Sequence, residues 1–263
     1  MTPASSTPLH PDTLGTLCGL FRARVAATPD QVAYRQFDEA SKHWVSFTWA
    51  QVAAEVLRWQ AALAKEGLAP GDRVAVMLKN SVEWVIFDQA ALGLGLVTVP
   101  LYLDDRPDNA AYILDHADAR LLLVEGKFQH KKLAEIAGSA HSLQRIVSLV
   151  PPENGLADWS TRFAVAADWL AGAAGTAIPE RHLSADMLAS LVYTSGTTGR
   201  PKGVMLTHEN LLWNAYYSSQ CADFGPHEVF LSFLPMSHTL ERTGGYYLPM
   251  LIGAEVAYAR SIA

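Results

Sequence analysis

The chain has 263 residues, of which 50% are apolar and 17% charged, and carries a formal net charge of −6. That length can bury a large core in one domain or two, and an acidic balance with no basic tail or stripe argues against a general nucleic-acid or anionic-membrane binder. Two cysteines, Cys18 and Cys221, stand far apart without metal-ligand spacing, which speaks against a disulfide framework and fits a reduced, cytoplasmic setting.

Residues 1–12 lack the charged-then-apolar order of a signal peptide and read as a disordered lead-in. The longest uncharged run, 89–103, is broken by Gly93, Gly95 and Pro100. A membrane-spanning helix needs about 20 apolar residues, so no transmembrane segment is expected. Strands are predicted over 32–37 and 44–47 with a polar turn between them. Thr48 and Gln51 form a capping box, Phe47 is placed to staple onto Val52, and Val52, Val56, Trp59 and Leu63 follow at helical spacing up to Gly67. Trp49 and Trp59 are expected in the core.

The run 73–78 reads as a strand buried on both faces. Asn80 with Glu83 is expected to start the next helix, which runs to about Leu92. Further on come a strand over 96–100, a helix over 106–115, a strand over 120–124, a helix over 127–137 and a strand over 145–150. Strands alternating with helices indicate α/β architecture, with mostly parallel sheets and helices on both faces. Residues 151–157 look like a linker, 158–170 an irregular helix, and 171–185 a loose Ala/Gly-rich stretch. These breaks suggest a first α/β subdomain (13–150), a connecting region (151–186) and a second α/β subdomain (187–263).

The second part opens on the most informative stretch, which runs from Tyr193 through Thr194, Ser195, Gly196, Thr197, Thr198, Gly199, Arg200, Pro201 and Lys202 to Gly203. Glycines let the backbone curl so that N–H groups converge, while hydroxyls and an ammonium add donors; together they suit a phosphate. A turn that only reverses the chain needs two to five residues and no lysine. The stretch is neither a Walker A loop nor G-x-G-x-x-G. Pro201 disfavours the α region at Arg200, and an apolar run precedes and follows, so the order is strand–loop–strand. Thr207 then caps a helix over 208–221, with His208 and Glu209 read as a solvated helix start. A strand over 229–234 ends at Pro235, followed by Ser237-His238-Thr239-Leu240-Glu241-Arg242, and a last strand is expected over 254–259. A histidine just past a buried strand sits where open sheets bind ligands. A lone histidine is more often structural than catalytic, so position alone leaves both roles open. Glu241 and Arg242 are read as pairing with each other or with solvent.

The stretch 193–203 resembles the phosphate-binding signature of the adenylate-forming superfamily. Residues 231–243, carrying Ser-His-x-x-Glu-Arg, resemble the histidine motif of the long-chain fatty acyl-CoA synthetase group. Trp49-Ala-Gln-Val, Pro70-Gly-Asp-Arg-Val-Ala and Asn80-Ser-Val-Glu-Trp fit the same family's opening region. The resemblance implies ATP-dependent activation of a fatty carboxylate as acyl-AMP, then thioester formation with coenzyme A. A ligase of shorter or aryl acids, or a non-catalytic nucleotide-binding member of the fold, is the alternative. It further implies that Thr194, Ser195, Gly196, Thr197, Thr198 and Gly199 wrap the β- and γ-phosphates, that Thr194 contacts Mg²⁺, and that His238 borders the carboxylate or adenylate. Lys202 is either a phosphate ligand or a brace of the loop. Arg242 replaces a tryptophan that some members use as a gate to the acyl tunnel, so no gate is assigned to it.

The family's adenine-, ribose- and carboxylate-binding motifs, which lie downstream, do not occur in this sequence. The chain therefore reads as the N-terminal part of a synthetase and is expected to be inactive alone. ATP–pyrophosphate exchange by these 263 residues at ordinary enzymatic rates would overturn that. An unpaired sheet edge, as a truncated parallel sheet leaves, predicts self-association as a homodimer. Peripheral association with the inner membrane is the expected exception to a cytoplasmic location.

Overall fold

A computed structural model describes residues 9–126, 131, 133, 135, 140–152, 161–194 and 200–260. Within them two sheets pack around shared helices. The seven-stranded sheet has the order β7-β6-β5-β3-β4-β8-β9, and the four-stranded sheet the order β10-β11-β1-β2. In the first, β3 (Arg73–Met77), β4 (Val97–Pro100), β5 (Ala119–Val124), β6 (Arg145–Ser148), β7 (Phe163–Val165) and β8 (Leu188–Thr194) run parallel, and β9 (Lys202–Thr207) returns antiparallel to β8. In the second, β10 (Val229–Ser232), β11 (Glu255–Tyr258) and β1 (Val32–Asp38) are parallel, with β2 (His43–Thr48) antiparallel to β1. The α/β reading with mostly parallel sheets holds. Each sheet takes strands from both sides of 151–186.

Local chemistry explains most boundaries. His10 caps a short helix α1 (Pro11–Leu14), and Thr16 caps α2 (Leu17–Ala27). Thr48 and Gln51 form the expected capping box at the start of α3 (Trp49–Lys65), and Gly67 takes φ 73 just past its end, the left-handed conformation that favours glycine. Trp49 and Trp59 are buried. The next helix, α4 (Val82–Gly93), is capped by Ser81 rather than started at Asn80. Asn80 is used elsewhere: its Nδ2 donates to Ser232 Oγ (2.8 Å) and Leu234 O (2.6 Å), and its Oδ1 accepts from Met236 N–H (2.9 Å). Helix α4 is buried on every side, which is what an apolar helix without a polar face does.

Pro107–His116 forms α5. The helix read over 127–137 is described only at 131, 133 and 135, all helical. The irregular helix read over 158–170 is instead, where described, the short strand β7 followed by α6 (Ala166–Ala171); three residues of β7 gain a partner by pairing with β6. Then come α7 (His208–Ser219), α8 (Thr239–Arg242), one π turn (Thr243–Tyr247) and α9 (Leu248–Ile252). Among the described residues no helix is long and apolar enough to cross a membrane.

Candidate active site

Strands β8 and β9 form the hairpin that the sequence predicts on either side of the glycine-rich loop. In register, Val192 faces Val204 and Thr194 faces Lys202. Directly opposed residues project to the same face of an antiparallel pair, so Thr194 and Lys202 leave the hairpin on the same side as Val192 and Val204. Ser195, Gly196, Thr197, Thr198 and Gly199 lie outside the described residues.

Helix α5 holds both stems of the loop. Tyr193 hydroxyl is 2.7 Å from His116 Nδ1, the Arg200 guanidinium lies 4.9 Å from the Tyr112 ring centroid, and the Tyr112 and His116 rings are in contact. Burial pushes the Tyr193 hydroxyl pKa up. Across the hairpin, a Cβ on Gly203 would come within 3.1 Å of the Tyr193 ring, so any larger residue there would push the ring aside by a few tenths of an ångström.

A cavity of about 1140 Å³ opens beside this hairpin. Thr194 and Pro201 line it from the loop stems, Pro100 and Leu101 from the end of β4, and His238, Thr239 and Leu240 from the turn after β10. Three strand ends thus converge on one crevice, the usual place for a ligand in an open α/β sheet. Val192, Val204, Leu206, Leu211 and Ile113 make an apolar wall, and Asp104, Asp105 and Asn109 a polar rim. The structure brings Thr194 and His238 to the same cavity; Lys202 sits on the same face of the hairpin but does not line it.

His238 is the N-cap of α8, its Nδ1 accepting from Leu240 N–H at 3.2 Å. The turn bearing it is pinned through Asn80 and through Glu241, whose Oε1 accepts from Ser232 Oγ at 2.6 Å. Burial raises the Glu241 carboxyl pKa.

Two readings need correction. Arg242 and Glu241 do not face solvent or each other. Both are buried, and Arg242 forms an ion pair with Asp88 of α4 at 3.3 Å with both side chains fully enclosed. His208 is not a solvated helix start either. It is 1% exposed, and its Nδ1 accepts from Leu17 N–H at 3.3 Å because α2 packs against the start of α7. Removal from water lowers its pKa to about 4. The Asp88–Arg242 pair was missed, although one acid inside the apolar run of α4 was a signal that a cation had to meet it.

For a hard cation such as Mg²⁺ the hydroxyl oxygen of Thr194 is a chemically suitable donor. Among the described residues no group of three His, Cys, Asp or Glu could hold a metal ion, so protein oxygens here would supply only part of a shell completed by phosphates.

The fold matches solved acyl-CoA synthetases. A Mycobacterium tuberculosis fatty acyl-CoA synthetase superposes with a TM-score of 0.78 over 96% of this chain and 46% of that one, at 24% identity. An anthranilate-CoA ligase bound to anthranoyl-AMP gives 0.80 over 94% and 45%, at 23% identity. In sequence, a long-chain fatty acid–CoA ligase of Mycobacterium bovis is 31% identical over 81% of the chain and 35% of its own length. A human long-chain fatty acid–CoA ligase is 31% identical over 84% and 34%, and fatty acyl-CoA synthetase A of Dictyostelium discoideum is 35% identical over 76% and 30%. The chain thus spans about a third of the length of these relatives. Residues 21–263 match the AMP-binding enzyme family. With strand–loop–strand hairpin, histidine turn and fold in agreement, the chain belongs to that family.

Proposed function

We propose that this chain supplies the phosphate-binding part of an ATP-dependent fatty acid–CoA ligase acting on long-chain acids. The observation that carries the reading is the single cavity shared by Thr194 at the stem of the glycine-rich loop and His238 beyond β10. Its apolar wall suits an aliphatic chain, and relatives at about 30% identity are named long-chain fatty acid–CoA ligases.

In this reading a carboxylate oxygen of the fatty acid attacks the α-phosphorus of ATP. The bond from that phosphorus to the β-bridging oxygen breaks, and pyrophosphate leaves with its electron pair. The thiolate of coenzyme A then attacks the acyl carbon, and AMP departs on its phosphate oxygen. Negative charge grows on phosphate oxygens in the first step, so positioned donors do most of the work. Thr194, Ser195, Gly196, Thr197, Thr198 and Gly199 are the proposed cradle for the β- and γ-phosphates, with Thr194 touching Mg²⁺, whose charge offsets that of the phosphates. Lys202, opposite Thr194 in the hairpin register, is the proposed ligand of the same phosphates or brace of the loop, and His238 the proposed group that orients the carboxylate.

In the complete natural protein, Thr198→Ala and Lys202→Ala are each expected to slow adenylate formation about 10²-fold, the usual effect of removing one transition-state donor. Pyrophosphate exchange driven by a long-chain acid reads this directly; rates equal to wild type in both variants would count against the assignment.

A further inference from the structure

Arg242 ends α8, four residues after His238, and its side chain has no contact with solvent. Its Nη1 donates to Ser190 Oγ at 2.7 Å, and its Nη2 donates to Tyr247 hydroxyl at 2.6 Å and Asp88 Oδ1 at 3.3 Å. Its guanidinium carbon lies 5.2 Å from the Trp84 ring centroid. Asp88 Oδ2 accepts from the hydroxyls of Tyr246 and Tyr247 at 3.1 and 3.0 Å, and Gln89 donates to Tyr246 hydroxyl at 2.6 Å. The π turn makes this arrangement reachable. It brings residues five apart onto one face, so that Tyr247 stands over Arg242.

An ion pair taken wholly out of water is weak evidence for stability, since apolar side chains of similar volume often serve as well. The geometry it imposes is more informative. Ser190 lies on the same face of β8 as Val192 and Thr194, about 13 Å before Thr194 at the usual strand rise. Ser190 Oγ also donates to Thr98 O on β4, at 2.8 Å, so the guanidinium is anchored to two of the three strands whose ends open onto the cavity. On its other side, Arg242 N–H donates to His238 O at 3.1 Å, and the next residue, Thr243, lines the cavity and donates to Asn214 at 2.8 Å. The turn carrying His238 follows the four-stranded sheet; the loop belongs to the seven-stranded one. Arg242, through Ser190, ties that turn directly to β8.

We propose that Arg242 is a positioning residue that sets where His238 stands relative to the Thr194–Lys202 hairpin across the cavity. The proposal rests on the reading of His238 as a site residue. A lysine cannot reproduce it, because one ammonium does not fork between Ser190 and the Asp88–Tyr247 pair.

The test is Arg242→Lys in the complete natural protein, which keeps the charge and loses the fork. A misplacement near 1 Å costs about 10²-fold in rate, so kcat for adenylate formation is expected to fall by about that factor while KM for ATP stays within about threefold. In a His238→Ala background the same change is expected to cost less than about threefold, because its route runs through His238. Independent, multiplying losses in the double variant would overturn the proposal, as would a kcat unchanged in Arg242→Lys. If the wild-type protein forms no adenylate with any fatty acid, the proposed function fails, and amide hydrogen exchange decides the positioning role alone. Selective loss of protection at the Leu240 and Arg242 amides, with α4 still protected, supports it; unchanged protection at both overturns it.

Discussion

Replacing Asp88 with alanine is expected to lower the unfolding free energy by about 3–5 kcal/mol, the range found when one partner of a buried pair is removed. The size follows from what remains. Arg242 keeps a full charge on a side chain with no solvent exposure, and the Tyr246 and Tyr247 hydroxyls lose their shared acceptor. Burial holds both tyrosine hydroxyl pKa values well above their ordinary value, so in the wild type Asp88 is the anion that faces Arg242. Asp88→Asn, which keeps one acceptor oxygen, is expected to lose less. A double variant with apolar residues at 88 and 242 should recover most of the stability while removing the tie between the His238 turn and Ser190 of β8. Equilibrium urea unfolding measures all three. A loss below about 1 kcal/mol for Asp88→Ala would mean that the charge is relieved by water and that the enclosure is not as drawn.

Acidification is expected to destabilise the fold through His208. Its folded pKa, about 4, lies below the 6.5 of a free imidazole because it is buried. Its Nδ1 must stay unprotonated to accept from Leu17, and the first turn of α7 disfavours a cation. The unfolded chain therefore takes up the proton first. Stability is full above the unfolded pKa and falls as pH drops from about 6.5 towards 4, by roughly 2 kcal/mol at pH 5 and about 3 at pH 4. Glu241, whose pKa burial raises, acts in the opposite sense. The comparison that isolates His208 is with His208→Asn, whose side-chain oxygen can accept from Leu17: the wild type should lose stability between pH 7 and 5 and the variant should not. Parallel pH profiles would remove His208 as the cause.

Strand–loop–strand order, the capping box at Thr48, the cap at Thr207 and the core tryptophans were readable from residue types, because each is fixed by neighbours within a few positions. Asn80 and His208 were not. Both resemble ordinary helix starts in sequence, and what they bond, Ser232 to Met236 and Leu17, comes from segments more than 150 residues away. Arg242 failed for the same reason: an Arg beside a Glu looks solvated until α4 delivers Asp88. Of the site itself, the glycine-rich stretch and His238 were visible as motifs. That Thr194, at the stem of that stretch, and His238 share one cavity depends on how two sheets pack, which no local pattern encodes.

The order of strands in the smaller sheet also sets a timetable. Its inner strand β1 pairs with β11, Tyr34 against Val256. At synthesis rates of about 5–20 residues per second, roughly 10–40 seconds separate the emergence of these partners from the ribosome. Until then the edge of β1 that β11 occupies in the finished fold has no partner to pair with, and Tyr34 lacks the Tyr258 ring that stacks on it. Completion of the smaller sheet therefore waits for nearly the whole chain, and β11 is the strand that closes it.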